Sequence, residues 1–131
     1  MATWRDVSRI ALKYTGVSES KTARGWRAWM VRGKLLAWER PLMKSEIAAL
    51  GDRTPRGPIL GVRTADLAMK EALLAHDASV FFTTPHFDGY PAVLIELSRI
   101  SSKMLRDVIE EAWLVRAPKR TVEAFLANRS I

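Results

Sequence analysis

The sequence predicts an α+β domain: an antiparallel sheet of about five strands packed with helices. Two kinds of apolar spacing predict it. Alternation at period two, the period of a pleated strand, runs through Trp26–Trp38, Ile59–Arg63 and the segment from Val80 to Leu97. Helical spacing is clearest at Leu105, Val108, Ile109, Ala112 and Trp113. The turns between successive strands are also short, and short turns join antiparallel neighbours. At 131 residues the chain is one ordinary domain, residues 1–131.

Each element has its own signal. Thr3 is a candidate N-cap, with Val7, Ile10, Ala11 and Tyr14 at helical spacing behind it, so a first helix is expected over about Thr3–Tyr14 and a left-handed stop at Gly16. Arg5, Arg9 and Lys13, each four residues apart, form a basic stripe on it. Trp26–Arg32 and Leu36–Trp38 read as a hairpin turning at Arg32-Gly33-Lys34, ended by Pro41. Met43–Leu50 reads as a short helix closed by Gly51, and Asp52–Pro58 as a loop rich in Pro, Gly and charge. Ile59–Arg63 is a third strand. Thr64 is a candidate cap for a helix over Ala65–Ala75, with Leu67 and Leu74 on its inner face. In Phe81–Ile100, Pro85, Asp88, Gly89 and Pro91 crowd a turn between two strands. Ser101 or Ser102 caps the clearest helix. Pro118 stops it and starts another, in which Val122, Phe125 and Leu126 are expected to face inward. The expected order is α-β-β-α-β-α-β-β-α-α.

Four segments, in order, resemble the MmcQ/YjbR family of small bacterial proteins: WMVRGKLLAWERP at Trp29–Pro41, ILGVRTADLAMKEALL at Ile59–Leu74, FFTTPHFDGYPAVLIELSRI at Phe81–Ile100 and EAWLVRAPKR at Glu111–Arg120. The resemblance spans nearly the whole chain and is weakest over Met1–Ser20. It implies a fold similar to the bacterial frataxins (a CyaY-like α/β sandwich) and a double-wing arrangement of hairpins for binding DNA. The wing resemblance carries over at Gly33, Lys34 and the flanking strands. A frataxin-like fold raises the question of iron. Iron(II) prefers clustered carboxylates, whereas the first helix bears Arg5, Arg9 and Lys13 with Asp6 its only acid. That departure argues against an iron role.

Composition narrows the remaining classes. Apolar residues make up 48% and charged residues 27%, the balance of a globular core with a hydrated surface. No apolar run approaches the roughly 18 residues of a membrane span, and the N-terminus, charged at Arg5, Asp6 and Arg9, is unlike a signal peptide. The chain has no cysteine, which excludes a disulfide framework and thiolate chemistry and fits a cytoplasmic protein. The net charge is +7. Residues 1–63 hold 13 basic and 5 acidic side chains; residues 64–131 hold 8 and 9. The whole positive surplus lies in the first half, which points to an anionic partner, most often nucleic acid, against the plain alternative of a basic surface kept for solubility.

No catalytic signature is present: there is no GxxxxGK[ST], GxGxxG or GxSxG motif. His76 and His86, without cysteine, suggest no zinc cage, so neither metal nor cofactor is expected. The expected function is DNA binding through phosphates with little sequence preference, by Arg32 and Lys34 at the hairpin tip, Arg24 and Arg27 near its base, and Arg40 and Lys44 past its far strand. The alternative is a protein-interaction or small-ligand module on the surface of Thr83, Thr84, His86 and Tyr90. Against it, Thr suits a pleated strand, Asp88-Gly89 makes the turn, and His86 and Tyr90 pack or bond to the loop backbone. Trp29, Trp38 and Trp113 fall on apolar stripes and belong to the core. Trp26, beside Arg24 and Arg27, is the candidate surface aromatic.

Overall fold

The computed structural model describes residues 2–129 and shows an α+β architecture. The chain runs α1 (Trp4–Ala11), β1 (Val17–Lys21), β2 (Arg27–Val31), β3 (Lys34–Glu39), α2 (Lys44–Leu50), β4 (Ile59–Arg63), α3 (Leu67–His76), β5 (Phe81–Phe82), β6 (Ala92–Glu96), α4 (Ser102–Arg116) and α5 (Lys119–Arg129). Six strands form one sheet in the order β1-β2-β3-β4-β6-β5, with every neighbouring pair antiparallel.

Alternation along the strands creates two different faces. On the first, Trp29, Val31, Ala37, Leu60, Val62, Val93 and Ile95 meet α1 and α4 and form the main core. On the second, Ala28, Trp38, Ile59, Ala92 and Leu94 lie under Phe87 in a smaller cluster. A bulge lets β3 serve both: Trp29 pairs with Ala37 and Met30 with Leu35, so Leu36 is the extra residue and joins Ala37 on the first face. Gly61 in β4 has no side chain because Trp38 of β3 lies across it. A Cβ there would sit 2.7 Å from the Trp38 ring.

The helices follow their capping chemistry. Thr3 and Asp6 form a reciprocal capping box at the start of α1, and Ser101 caps α4 by accepting from the Met104 N–H. The stripe Leu105, Val108, Ile109, Ala112 and Trp113 is buried throughout, as its spacing demands. Trp113 is sealed between Tyr14 and Phe125, with ring centroids 5.3 and 5.0 Å away, and donates to the Thr15 carbonyl at 3.0 Å.

The structure corrects the sequence reading in four places. A sixth strand, β1, precedes the expected hairpin. Its sequence VSESK has no apolar alternation because four of its five residues are exposed. It is held by pairing with β2 and by Glu19, which accepts from Ser8 and from the Trp29 indole at 2.9 Å. α1 ends at Ala11 and not near Tyr14, so Lys13 lies beyond it. α3 is capped by Asp66, whose carboxylate accepts from the Met69 N–H, while the Thr64 hydroxyl donates to the Asp66 carbonyl. Within α3, Leu67 is exposed and Lys70 takes the buried position; in α5, Leu126 is 44% exposed while Val122 and Phe125 pack.

Trp113→Ala removes the largest side chain of the α4 stripe. It is expected to destabilise the fold by about 3–5 kcal/mol, read as a lower midpoint in urea unfolding. An unchanged midpoint would contradict the burial described above.

Candidate functional site

The six basic residues expected to act together fall into two groups at opposite ends of the sheet. Arg24 lies in the β1–β2 turn and Arg27 begins β2, while Arg40 follows β3 and Lys44 opens α2. Arg32 and Lys34 lie at the other end, in the β2–β3 turn. The five steps from Arg27 to Arg32 correspond to about 17 Å of strand.

Charges at the first end are largely engaged. The Arg24 guanidinium lies over Trp26, 5.3 Å from its centroid, and leaves that indole half-buried. Arg27 pairs with Glu39 at 3.2 Å and covers Trp4. Arg40 was expected on the interface, but the structure buries it. Its guanidinium lies 3.0 Å from the Glu46 carboxylate, donates to the Pro41 carbonyl and sits over Phe87. A cation so enclosed is unavailable to a phosphate. Lys44 is exposed.

The other end is freer. Arg32 and Lys34 are exposed, and among the described residues neither pairs with an acid. Arg32 and Gly33 both have positive φ, 51° and 77°, the pattern of a tight two-residue hairpin turn. Arg32 is the only described non-glycine residue in that region, where an L side chain other than Asn or Asp is disfavoured.

Strand register puts this turn and the Pro85–Tyr90 loop at the same end of the sheet, with β4 between their strands. Ala37 pairs with Val62 and Arg63 with Ala92, so the beginning of β3, the end of β4 and the beginning of β6 share one end of the sheet. An open groove of about 570 Å³ runs along the second face of the sheet between the loop and β3, from Leu35 near that end to Arg40 at the other. Leu35, Trp38 and Arg40 line one side, and His86, Phe87, Asp88 and Tyr90 the other.

The loop is held from beneath. The buried Lys70 ammonium donates to the Phe87 carbonyl at 2.6 Å and the Tyr90 carbonyl at 2.9 Å. Burial lowers its pKa from the ordinary 10.5, against the attraction of Asp88 and Glu71. Arg63 lies 4.8 Å from the Tyr90 ring centroid and donates to Pro91.

Of the four residues assigned to the alternative surface, Thr84 is displaced inward. It is buried and its hydroxyl donates to Glu46 at 2.6 Å, so it is structural. Thr83 is half-buried; His86 and Tyr90 are exposed on the groove. Lys70, Glu46 and Arg63 were not expected to matter. Lys70 did have a signal, since it falls between Leu67 and Leu74 on the stripe read as inward. The partners of Glu46 are up to 38 residues away and left none. Among the described residues, no cluster of three or more His, Cys, Asp and Glu is placed to hold a metal ion, and no helix is long and apolar enough to cross a membrane.

Comparison with known proteins finds close relatives in mycobacteria. The uncharacterized proteins Mb2600 of Mycobacterium bovis and Rv2570 and MT2646 of Mycobacterium tuberculosis are each 51% identical to this chain over 131 residues, covering 98% of it and 98% of their own length. The chain belongs to their family. No protein-family model matches the chain, and no solved structure matches it. The match runs over nearly the full length of both chains.

Glu46 gives the site a testable acid limit. Burial raises its pKa, but the Met43 N–H, the Thr84 hydroxyl and Arg40 outweigh that and hold it below the ordinary 4.5. A carboxylate depressed in the folded state stabilises fully above its unfolded pKa and loses that contribution as pH falls through the folded value. Stability is therefore expected to decline below about pH 4.5. Glu46→Gln should flatten that decline while costing about 3–5 kcal/mol at neutral pH, because it strands Arg40. Urea unfolding of both proteins at several pH values checks this; parallel profiles would overturn it.

Proposed function

We propose that the protein binds DNA through backbone phosphates, with little sequence preference, using the β2–β3 turn at the end of the sheet. The observation that carries this is the conformation of Arg32. A left-handed φ of 51° is tolerated best by Asn or Gly, yet the position holds an arginine, exposed and without an acid partner. A disfavoured residue at an exposed turn is accounted for by what its side chain does. Lys34 follows one residue after Gly33, so the turn presents two cations at the tip of a two-stranded ribbon. Such a ribbon can lie along phosphates or enter a groove. The basic surplus of the first half of the chain supports an anionic partner.

The same ribbon is what the MmcQ/YjbR resemblance implies for a wing, and membership of that family is part of the proposal. Binding of this kind needs no catalysis or cofactor, and we propose that it takes place in the cytoplasm. The alternative, a protein-interaction or small-ligand surface of Thr83, Thr84, His86 and Tyr90, is weaker because Thr84 is committed to Glu46.

Arg32→Asn combined with Lys34→Gln is expected to lower the slope of log affinity against log salt on random duplex DNA by up to about 1.8, since each phosphate contact contributes about 0.9. Arg32→Asn alone should raise stability by about 1 kcal/mol, as it relieves the left-handed arginine. Arg24→Gln with Lys44→Gln, at the opposite end, should change the slope little. Equal loss from both pairs would mean that total charge governs binding. No binding by the parent at low salt would remove the DNA function.

A further inference from the structure

The basic stripe of the first helix divides where α1 ends. Arg5 is simply exposed, whereas Arg9 and Lys13 line a small hollow at the junction of α1 with α4. α1 stops at Ala11, and the chain continues through a turn in which the Lys13 and Tyr14 N–H groups donate to the Ile10 and Ala11 carbonyls. That turn keeps Lys13 on the rim. Ser102 and Arg106, four residues apart and therefore neighbours on α4, form the opposite wall. Ile10 and Tyr14 are buried and make the floor. The space between them is about 120 Å³.

Among the described residues this lining holds three cations and no acid. Lys13 and Arg106 are exposed, and neither has an acid partner among those residues. Arg9 is tied to Asp6 at 3.2 Å, but the pair is exposed, so water weakens it, and the guanidinium keeps further N–H donors. The acids that follow Arg106 on α4 are engaged elsewhere. Asp107 pairs with Lys103 at 3.6 Å, and Glu110 accepts from Arg129 at 2.6 Å and from the Tyr14 hydroxyl at 2.9 Å. The Ser102 hydroxyl adds a donor, since Ser101 is the cap of α4. Like charges around one small space repel one another, and an anion between them removes that repulsion. A carboxylate brings one charge and two oxygens. A phosphate monoester brings nearly two charges and three oxygens, which suits donors arriving from both helices. A nucleic-acid backbone phosphate brings one charge and continues as chain on both sides, whereas so small a hollow suits an end group.

We infer that the hollow between α1 and α4 binds a terminal phosphate dianion, held by Lys13, Arg106 and Arg9. None of the residues proposed for DNA lines it, so this site stands or falls apart from that reading.

Proton–nitrogen NMR titration at about pH 8 and fixed ionic strength tests it with three probes: inorganic phosphate, methyl phosphate and dimethyl phosphate. The first two are dianions there, and dimethyl phosphate carries a single charge. Inorganic phosphate should give saturable shifts concentrated at the Lys13, Tyr14, Ser102 and Arg106 amides. Matching shifts with methyl phosphate assign the hollow to phosphate esters; shifts with inorganic phosphate alone assign it to the free ion. Dimethyl phosphate should bind at least about fivefold more weakly, the effect of one exposed ion pair. Lys13→Gln and Arg106→Gln should each raise Kd by about fivefold. Both side chains are exposed, so the fold should survive. Arg5→Gln, on the same stripe but outside the hollow, should leave Kd unchanged. Three results overturn the site: no saturable shift with either dianion, dimethyl phosphate bound as tightly as inorganic phosphate, or Arg5→Gln weakening binding as much as Lys13→Gln.

Discussion

Glu46 has almost no access to water, and it remains an anion because donors from three separate places converge on it. The Met43 N–H and the Arg40 guanidinium reach one carboxylate oxygen, and the Thr84 hydroxyl reaches the other. These donors belong to the start of α2, the exit of β3 and the entry to the Pro85–Tyr90 loop. One buried carboxylate thus ties together the segments that cover the second face of the sheet. Apolar contact alone is thin there, since that cluster has six buried members against the long roll of the first face. Left unpaired, either ion would cost several kcal/mol. The network is complete, and no buried side-chain polar atom among the described residues lacks a partner.

The same economy of parts shapes the groove. Gly61 lets Trp38 lie flat across β4, Trp38 supports Phe87, and Arg40 covers Phe87 from the side of Glu46. Lys70 reaches up from α3 to take two loop carbonyls that would otherwise point into protein. The loop has its own 3-10 turn over Pro85–Phe87, and Lys70 and Arg63 hold the rest of it from outside. A loop fixed in this way can present His86 and Tyr90 at a constant height above the sheet, which a binding surface requires.

The sequence disclosed elements whose apolar residues obey a period and concealed those held by polar contacts. The α4 stripe from Leu105 to Trp113 was legible in full because burial and helical spacing coincide. β1 was illegible because Ser18, Glu19 and Ser20 carry no apolar signal; its place is fixed by backbone pairing and by Glu19 beneath the Trp29 indole. The hairpin turn at Arg32-Gly33 was legible from Gly33 alone. The site was harder to read. Arg40 looked like another surface cation, because burial of a charge depends on a partner six residues on in another element. Thr84 misled for the same reason. Linear spacing records which face a side chain takes on its own element and is silent on what the fold sets opposite it.

Burial also changes what the charge asymmetry means. The first half of the chain carries the whole positive surplus, but counting side chains overstates the field an approaching anion meets. Arg40 is neutralised inside by Glu46, and Arg27 is paired with Glu39. Arg24 spends one face on Trp26. What remains exposed and without an acid partner at the β2–β3 turn is Arg32 and Lys34. If the proposed phosphate binding holds, so few contacts would give weak attachment. Steering by total charge would bring DNA to any basic side of the molecule. Retention at one place would require contacts beyond total charge, and the proposed function assigns them to the exposed β2–β3 turn.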